Sequence, residues 1–121
     1  MFDHKNKPTG IKRIYLATLN SSRAFLWLYK NESAFRQEVM LLLVAIPLSF
    51  FFNISIKEQA ILLLAIVFVI FTEILNTAIE AVVDRIGLEI HPLSGLAKDL
   101  GSAAVLISLI IACSIWIIVL L

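Results

Sequence analysis

The chain has 121 residues, of which 60% are hydrophobic and 16% are charged, and its mean hydropathy is +0.96. Soluble domains are usually closer to half apolar, so the composition argues against a soluble protein and favours a single membrane-embedded domain over residues 1–121. The formal net charge of +1 gives no reason to expect a nucleic-acid partner. The chain contains one cysteine, Cys113, which excludes a disulfide within it.

Residues 10–30 are too polar to cross a membrane but carry an amphipathic pattern. When they are wound as a helix, at about 100° per residue, one sector about 120° wide is mostly apolar or aromatic. The basic residues Lys12, Arg13, Arg23 and Lys30 cluster on another side. The pattern predicts a helix that lies in the membrane interface and is attracted to anionic headgroups. The apolar sector contains Ile11, Ile14, Tyr15, Thr18, Ser22, Phe25, Leu26 and Tyr29.

Three later stretches are apolar enough to cross a bilayer, which takes about 20 residues at about 1.5 Å of rise each. We predict transmembrane helices over about 38–56, 59–84 and 98–121. Pro47 lies inside the first, where a membrane helix tolerates it with a kink. The predicted fold is therefore an all-α membrane protein with an N-terminal amphipathic surface helix and three transmembrane helices.

The Lys and Arg residues that flank these stretches predict their orientation. Seven of them precede the first stretch, only Lys57 lies between the first and second, and Arg85 and Lys98 lie between the second and third. Because positive charge is retained on the cytoplasmic side, the N-terminus and the connection over 84–99 are predicted to be cytoplasmic. The C-terminus is then outside.

The second stretch ends in polar residues that share one helical face. Glu73, Asn76, Glu80 and Asp84 fall within a sector about 80° wide. Charged side chains within a membrane are costly and usually face a bundle interior or a wet cavity, so they indicate a functional site. The alternative is a polar network that only joins helices. Carboxylates so close would repel each other unless a proton or a cation lies between them.

A cation at this stripe suggests phosphoryl transfer. Magnesium is typically held by one or two carboxylates together with substrate phosphates, and Glu32 could join Glu80 in such a site. Lys98 and Asp99 return to the same membrane face, with Arg13 and Arg36 nearby in the sequence pattern. Carboxylates for a metal, a further carboxylate for a base and cations for phosphate are the parts that phosphoryl transfer needs.

The sequence motifs of the common nucleotide-binding folds do not occur here. No GxxxxGK[ST], kinase-type GxGxxG, HRD or DFG is present, and the two histidines are too far apart to suggest zinc. Gly87, Pro92 and Gly95 predict a loop over residues 87–99 between the second and third stretches.

Four segments closely resemble the small prokaryotic diacylglycerol kinases. They are EILNTAIEAVVDR at 73–85, HPLS at 91–94, AKDLGSAAV at 97–105 and NESAFRQE at 31–38. The resemblance covers nearly the whole chain, is strongest over 73–107, and is specific because several long motifs occur in the same order. It implies a homotrimer in the bacterial inner membrane that transfers the γ-phosphoryl group of MgATP to diacylglycerol, giving phosphatidic acid.

The resemblance also implies roles for single residues. Glu73 matches the general base, Asn76 a residue needed for activity, and Glu32 and Glu80 the ligands of Mg²⁺. The ATP-binding positions that it implies are Arg13, Glu32, Glu80, Glu89, Ile90, His91, Lys98 and Asp99. The lipid-side positions are Ala34, Phe35, Arg36, Gln37, Glu38, Glu73 and Ser102. One position departs from the family, because Asn20 stands where an aromatic nucleotide contact is expected, and this puts the detail of adenine binding in doubt.

These residues leave other functions open. Undecaprenol kinases share the fold and the reaction, so the carboxylates alone do not distinguish a polyprenol from diacylglycerol as acceptor. A small proton- or ion-conducting oligomer would also use a membrane carboxylate. That function has no use for Glu32, Lys98 and Asp99 at the cytoplasmic edge, and a purely structural membrane protein gains little from costly carboxylates. About 10 Å of helical rise separates Glu73 from Glu80, so we expect Mg²⁺ and the triphosphate to bridge them. Three short spans hardly enclose such a site, and we therefore expect neighbouring subunits to help complete it.

Overall fold

The computed structural model describes residues 5–121, and over this range it contains only helices. The four helices are α1 (Gly10–Asn31), α2 (Ser33–Ser49), α3 (Ile56–Ile86) and α4 (Pro92–Leu120). The expectation of an all-α chain is confirmed. The described residues form two compact units, residues 5–36 and residues 37–121.

In the first unit, α1 begins at Gly10, directly after the extended residue Thr9. Gly10 has φ of 65°, which a residue with a side chain adopts only with strain. At the other end, the N–H of Glu32 donates to the carbonyl of Leu28 at 2.8 Å, and Lys30 lies in the last turn, where a positive charge favours the helix dipole. The side chains of Ile11, Ile14 and Tyr15, all in the predicted apolar sector, are exposed. A helix with such a face is typical of proteins that meet lipid.

Helix α2 differs from the stretch that hydropathy predicts over 38–56. It begins at Ser33 and ends at Ser49, a length of 17 residues. The chain leaves the helix just after Pro47, whose missing N–H leaves one carbonyl of the preceding turn without its helical partner. Phe50 and Phe51 then donate to the carbonyls of Pro47 and Leu48 in tighter turns, at 3.2 and 3.0 Å.

Helices α3 and α4 have the sequence signals that begin and end helices. A reciprocal capping box starts α3: the N–H of Glu58 donates to the hydroxyl of Ser55 at 3.1 Å, and Ser55 N–H donates to the Glu58 carboxylate at 3.2 Å. Pro92 is the first residue of α4, where its fixed φ suits a helix, and the N–H of Leu93 donates to Nδ1 of His91 at 3.1 Å. The connection is thus confined to residues 87–91. The expectation of a loop over 92–99 is wrong, because Pro92 starts a helix that Gly95 does not interrupt.

Helices α3 and α4 pack against each other as an antiparallel pair. Ala65, Val69 and Ala112 form the buried centre of their contact, and small residues let two helix backbones approach closely. The hydroxyl of Thr72 donates to that of Ser108 at 2.8 Å, and the indole N–H of Trp116 donates to the carbonyl of Leu62 at 3.0 Å. These contacts fix which turns of α3 and α4 face each other.

Two helices of the described chain are long and apolar enough to cross a membrane by length and composition, α3 and α4. Helix α2 is not one of the two, because it is shorter than the usual span. A membrane protein with at least two crossings therefore agrees with the structure, and the count of three crossings stays a prediction.

Candidate functional site

The polar stripe on α3 runs from a buried to an exposed position. Glu73 is only 8% exposed, Asn76 and Glu80 are half-buried, and Asp84 in the last turns of the helix is exposed. The order follows the spacing of three or four residues that keeps successive side chains on one helical face. A deeply placed carboxyl group is thus joined to the helix end by polar side chains.

Asn76 and Glu80 contact each other within this stripe. The Nδ2 group of Asn76 donates to Oε1 of Glu80 at 3.4 Å, a long hydrogen bond between residues four apart. The other amide atom, Oδ1 of Asn76, is buried and has no hydrogen-bond partner among the described residues. It lies against Gly101 of α4. Asn76 therefore stands between the two helices, with its N–H side towards the Glu80 carboxylate.

Helix α4 brings a cation to the exposed end of the stripe. The Lys98 ammonium contacts the Asp84 carboxylate at 2.8 Å, and both side chains are close to half exposed. Such an exposed ion pair contributes little stability. The positive charge is thereby held beside the stripe, while Asp99, the next residue, is exposed.

An open depression of about 240 Å³ lies where α3 ends and α4 begins. Asp84, Glu89, His91 and Lys98 are among the residues that line it. The Glu89 carboxylate lies against Gly87, the Nδ1 atom of His91 is used in capping α4, and Ile90 is fully exposed. Four of the predicted nucleotide-binding residues are thus gathered by the connection of residues 87–91 and its two flanking helices. They are Glu89, Ile90, His91 and Lys98.

A second carboxyl group lies near Glu73. The carboxyl group of Glu38 in α2 is within electrostatic range of that of Glu73, and its Oε2 atom is buried with no hydrogen-bond partner in the part of the chain that the structure describes. Glu38 also lines an apolar groove of about 280 Å³ between α2, α3 and α4, together with Leu41, Ile66 and Leu109. Within residues 37–121, the wall of an apolar groove therefore includes a carboxyl group that interacts electrostatically with Glu73.

The predicted residues of the first unit have their own contacts. Phe35 is buried and stacks on Phe25, with 6.4 Å between ring centroids. An Nη1 group of Arg36 donates to the carbonyl of Tyr29 at 2.7 Å. Glu32 and Ala34 are half-buried.

Two further residues of this unit concern the nucleotide. Arg13 lines a cavity of about 500 Å³ with Lys7 and Thr9. Asn20, the position that departs from the family, accepts a hydrogen bond from Arg23. That Arg13 and Glu32 join Glu73 and Glu80 in one site stays a prediction.

The carboxylate of Glu80 has the chemistry that a magnesium ion needs. Among residues 5–121, no group of three His, Cys, Asp or Glu side chains comes close enough to hold a metal alone. Magnesium does not require such a cage, because one or two carboxylates and the oxygens of a phosphate suffice. Glu80 is half-buried and keeps one carboxylate oxygen bonded to Asn76, so the donor set fits Mg²⁺ bound together with a nucleotide.

The structure also brings forward residues that the sequence pattern did not indicate. Thr77, one turn after Glu73, is buried, and its hydroxyl has no partner within residues 5–121. From α4, Gly101 lies against Asn76 of the stripe, and Ser108 accepts a hydrogen bond from Thr72, the residue before Glu73. The spacing of Thr77 from Glu73 could have identified it, whereas the α4 residues depend on the register between two helices. Gln37 and Ser102, both predicted on the lipid side, are exposed.

Comparison with known proteins gives one consistent result. The family described as prokaryotic diacylglycerol kinase matches residues 20–120. The diacylglycerol kinase of Pseudomonas aeruginosa is 45% identical over 113 residues, which cover 93% of this chain and 92% of that protein. The diacylglycerol kinase of Escherichia coli K12 is 45% identical over 115 residues, 95% of this chain and 94% of that protein. That of Haemophilus influenzae is 43% identical over 110 residues, with 91% and 93% coverage.

Proposed function

Because the chain belongs to the prokaryotic diacylglycerol kinase family, we propose that it is a membrane-embedded lipid kinase. It transfers the γ-phosphoryl group of ATP to the free hydroxyl of diacylglycerol, and the products are phosphatidic acid and ADP. Membership of a kinase family implies a nucleotide donor, and the names of the relatives identify the acceptor. The observation that carries the proposal is the stripe on α3, which joins a buried carboxyl group to the polar end of the helix.

The two ends of the stripe have different roles in this proposal. A lipid hydroxyl is a weak nucleophile that stays among acyl chains, and Glu73 is the most buried carboxyl of the stripe. Glu73 accepts the proton of the hydroxyl while the lipid oxygen forms its bond to the γ-phosphorus and the bond to the ADP oxygen breaks. Such proton transfer typically contributes about 10²–10⁴-fold to the rate.

The more exposed residues bind the phosphates. Glu80, with Glu32, holds Mg²⁺, and the bound ion offsets negative charge on the triphosphate. Lys98 adds a positive charge beside the depression at the helix connection, where Glu89, Ile90 and His91 contact the nucleotide with Asp99 and Arg13. Asn76 acts close to the reacting groups, since its amide contacts Glu80.

A separate set of residues binds the lipid in this proposal. Ala34, Phe35, Arg36 and Gln37 are proposed to contact it along with Ser102. The apolar groove that Glu38 lines can accept an acyl chain, since a chain in water-free surroundings needs only apolar walls. The carboxyl pair of Glu38 and Glu73 then lies near the glycerol hydroxyl.

We also propose a membrane topology and an oligomeric state for the enzyme. Helices α2, α3 and α4 cross the bacterial inner membrane, with the N-terminus and the connection of residues 87–91 in the cytoplasm, where ATP is available. Helix α1 lies at the membrane surface. The chain assembles as a homotrimer with shared sites, which is supported by the many apolar side chains of α4 that its own chain leaves exposed.

The test is MgATP consumption by the purified protein in detergent micelles with diacylglycerol, with undecaprenol, or with no added lipid. We expect strong stimulation by diacylglycerol, with phosphatidic acid as the lipid product. Preference for undecaprenol would keep the reaction and replace the acceptor. Absence of lipid-dependent turnover in folded protein would contradict the kinase proposal and favour the ion-conducting alternative.

A further inference from the structure

The contact between Gly101 and Asn76 lies at the point where α4 crosses the polar stripe of α3. Gly101 is buried, and a Cβ atom placed on it would overlap Oδ1 of Asn76, with Cγ of Asn76 at 3.2 Å. Ile79 is the next neighbour, at 3.7 Å, which is ordinary contact. The space that a methyl group would need at residue 101 is therefore occupied by the amide of Asn76.

The amide that fills this space is the group that bonds to Glu80. Its Nδ2 atom donates to the Glu80 carboxylate, and its Oδ1 atom is buried against Gly101 without a hydrogen-bond partner in the described chain. A buried amide oxygen with no partner does not hold its own orientation by hydrogen bonding. Packing against Gly101 supplies that orientation instead, because the backbone of α4 closes the space on the oxygen side.

We infer that Gly101 is a positioning residue, which holds the Asn76 amide against the Glu80 carboxylate by having no side chain. This inference rests on the proposed function, in which Glu80 binds the metal–nucleotide complex. Residues that orient a metal ligand commonly change metal affinity or activity by about 10–100-fold when they are altered. Gly101 thus influences nucleotide binding without touching the nucleotide.

Substitution Gly101→Ala separates this role from a role in packing. The atom that a new methyl group would overlap is the end of the Asn76 side chain, which can rotate, rather than the helix backbone. Alanine also favours a helix over glycine. We therefore expect the protein to keep its fold while the affinity for MgATP falls by about tenfold or more and KM for diacylglycerol stays unchanged. A merely structural defect would lower kcat and leave both KM values unchanged.

Gly95→Ala is the matched control for the stability measurement, because it adds the same methyl group to α4 with nothing within 4 Å of it. Both variants should unfold at similar temperatures. If Gly101→Ala unfolds much earlier than Gly95→Ala, with both KM values unchanged, Gly101 is a packing residue and the inference is wrong.

Two double-mutant comparisons, one by ligand binding and one by NMR, show whether Gly101 acts through Asn76. In an Asn76→Ala background, Gly101→Ala should cause no further loss of binding for a non-hydrolysable MgATP analogue, and an equal loss in both backgrounds would overturn the inference. Independently of activity, Glu80→Gln should shift the NMR signals of the Asn76 side-chain amide in the unchanged chain but not in Gly101→Ala. An equal shift in both would also overturn it. Failure of the kinase proposal would instead appear in the lipid assay of the unchanged protein.

Discussion

The individual residues of the stripe differ most in their contact with solvent. Glu73 is almost completely buried. Glu80 lies seven residues further along the helix and is half-buried, and one of its carboxylate oxygens accepts a hydrogen bond from the Asn76 amide. The same functional group can therefore serve two purposes, a proton acceptor in apolar surroundings and a ligand for a hydrated cation. The spacing of the stripe could be predicted from the sequence, since it needs only the period of one helix. The contacts of Asn76 with Gly101 could not, because they depend on a second helix.

Glu80→Gln should weaken the binding of MgATP and leave the binding of lipid intact. The amide keeps the size and the hydrogen-bonding shape of the side chain but removes the charge that attracts the metal. We expect the apparent Kd for a non-hydrolysable MgATP analogue to rise by about tenfold or more. Titration at several Mg²⁺ concentrations measures it.

Glu58→Gln is the control for this change, because Glu58 lies in the same helix at its other end and glutamine also completes a capping box. If Glu80→Gln binds the analogue as tightly as Glu58→Gln does, Glu80 is not a metal ligand.

The helices show which sequence signals decide where an element begins and ends. Hydropathy predicted α3 and α4 well, since both are long apolar runs, but it extended the first stretch to residue 56 where α2 ends at Ser49. Apolar residues such as Phe50 and Phe51 satisfy a hydropathy window whether they are helical or not. The helix boundaries instead agree with Pro47, near the end of α2, and with the capping box at Ser55, which starts α3. Similarly, the turn signals predict a loop that includes Pro92, whereas a proline in the first turn is compatible with the start of a helix, and Pro92 begins α4.

The pairing of α3 with α4 should depend on the hydroxyl of Ser108. This hydroxyl is fully buried and accepts a hydrogen bond from Thr72, the residue before Glu73. Hydrogen bonds between membrane helices contribute about 0.6 kcal/mol on average and at most about 1.7 kcal/mol. We expect Ser108→Ala to lower the free energy of unfolding within this range, measured by denaturation with sodium dodecyl sulfate in mixed micelles.

Ser114→Ala provides the comparison for Ser108→Ala, since the exposed Ser114 hydroxyl donates to the carbonyl of Ile110 in its own helix. It should leave the stability nearly unchanged. Equal stability of the two variants would show that the Thr72–Ser108 bond does not hold α3 to α4.

The molecule as a whole exposes more apolar surface than one chain can cover. Along α4, large side chains such as Ile107, Ile110 and Ile118 are exposed, and within the most apolar part of this helix only 6% of the residues are buried. Lipid can cover such a surface, and so can other copies of the chain. We expect other copies of the chain to cover part of this surface.

Chemical crosslinking of the protein in micelles should therefore give a ladder that ends at three subunits. The ladder should not change when the protein is diluted at constant detergent-to-protein ratio. A ladder that ends at one or two subunits would contradict the homotrimer and require a site made by fewer chains.

In the proposed mechanism, the stripe of α3 is a phosphoryl-transfer site with Glu73 as its base. The most direct test is the transfer of radiolabelled γ-phosphate from ATP to diacylglycerol, followed side by side in the unchanged chain, Glu73→Gln and Glu58→Gln. We expect rapid labelling of phosphatidic acid by the unchanged chain and Glu58→Gln, and a rate lower by about 10²-fold or more in Glu73→Gln with MgATP still bound. Equal rates in all three would show that Glu73 is not the base.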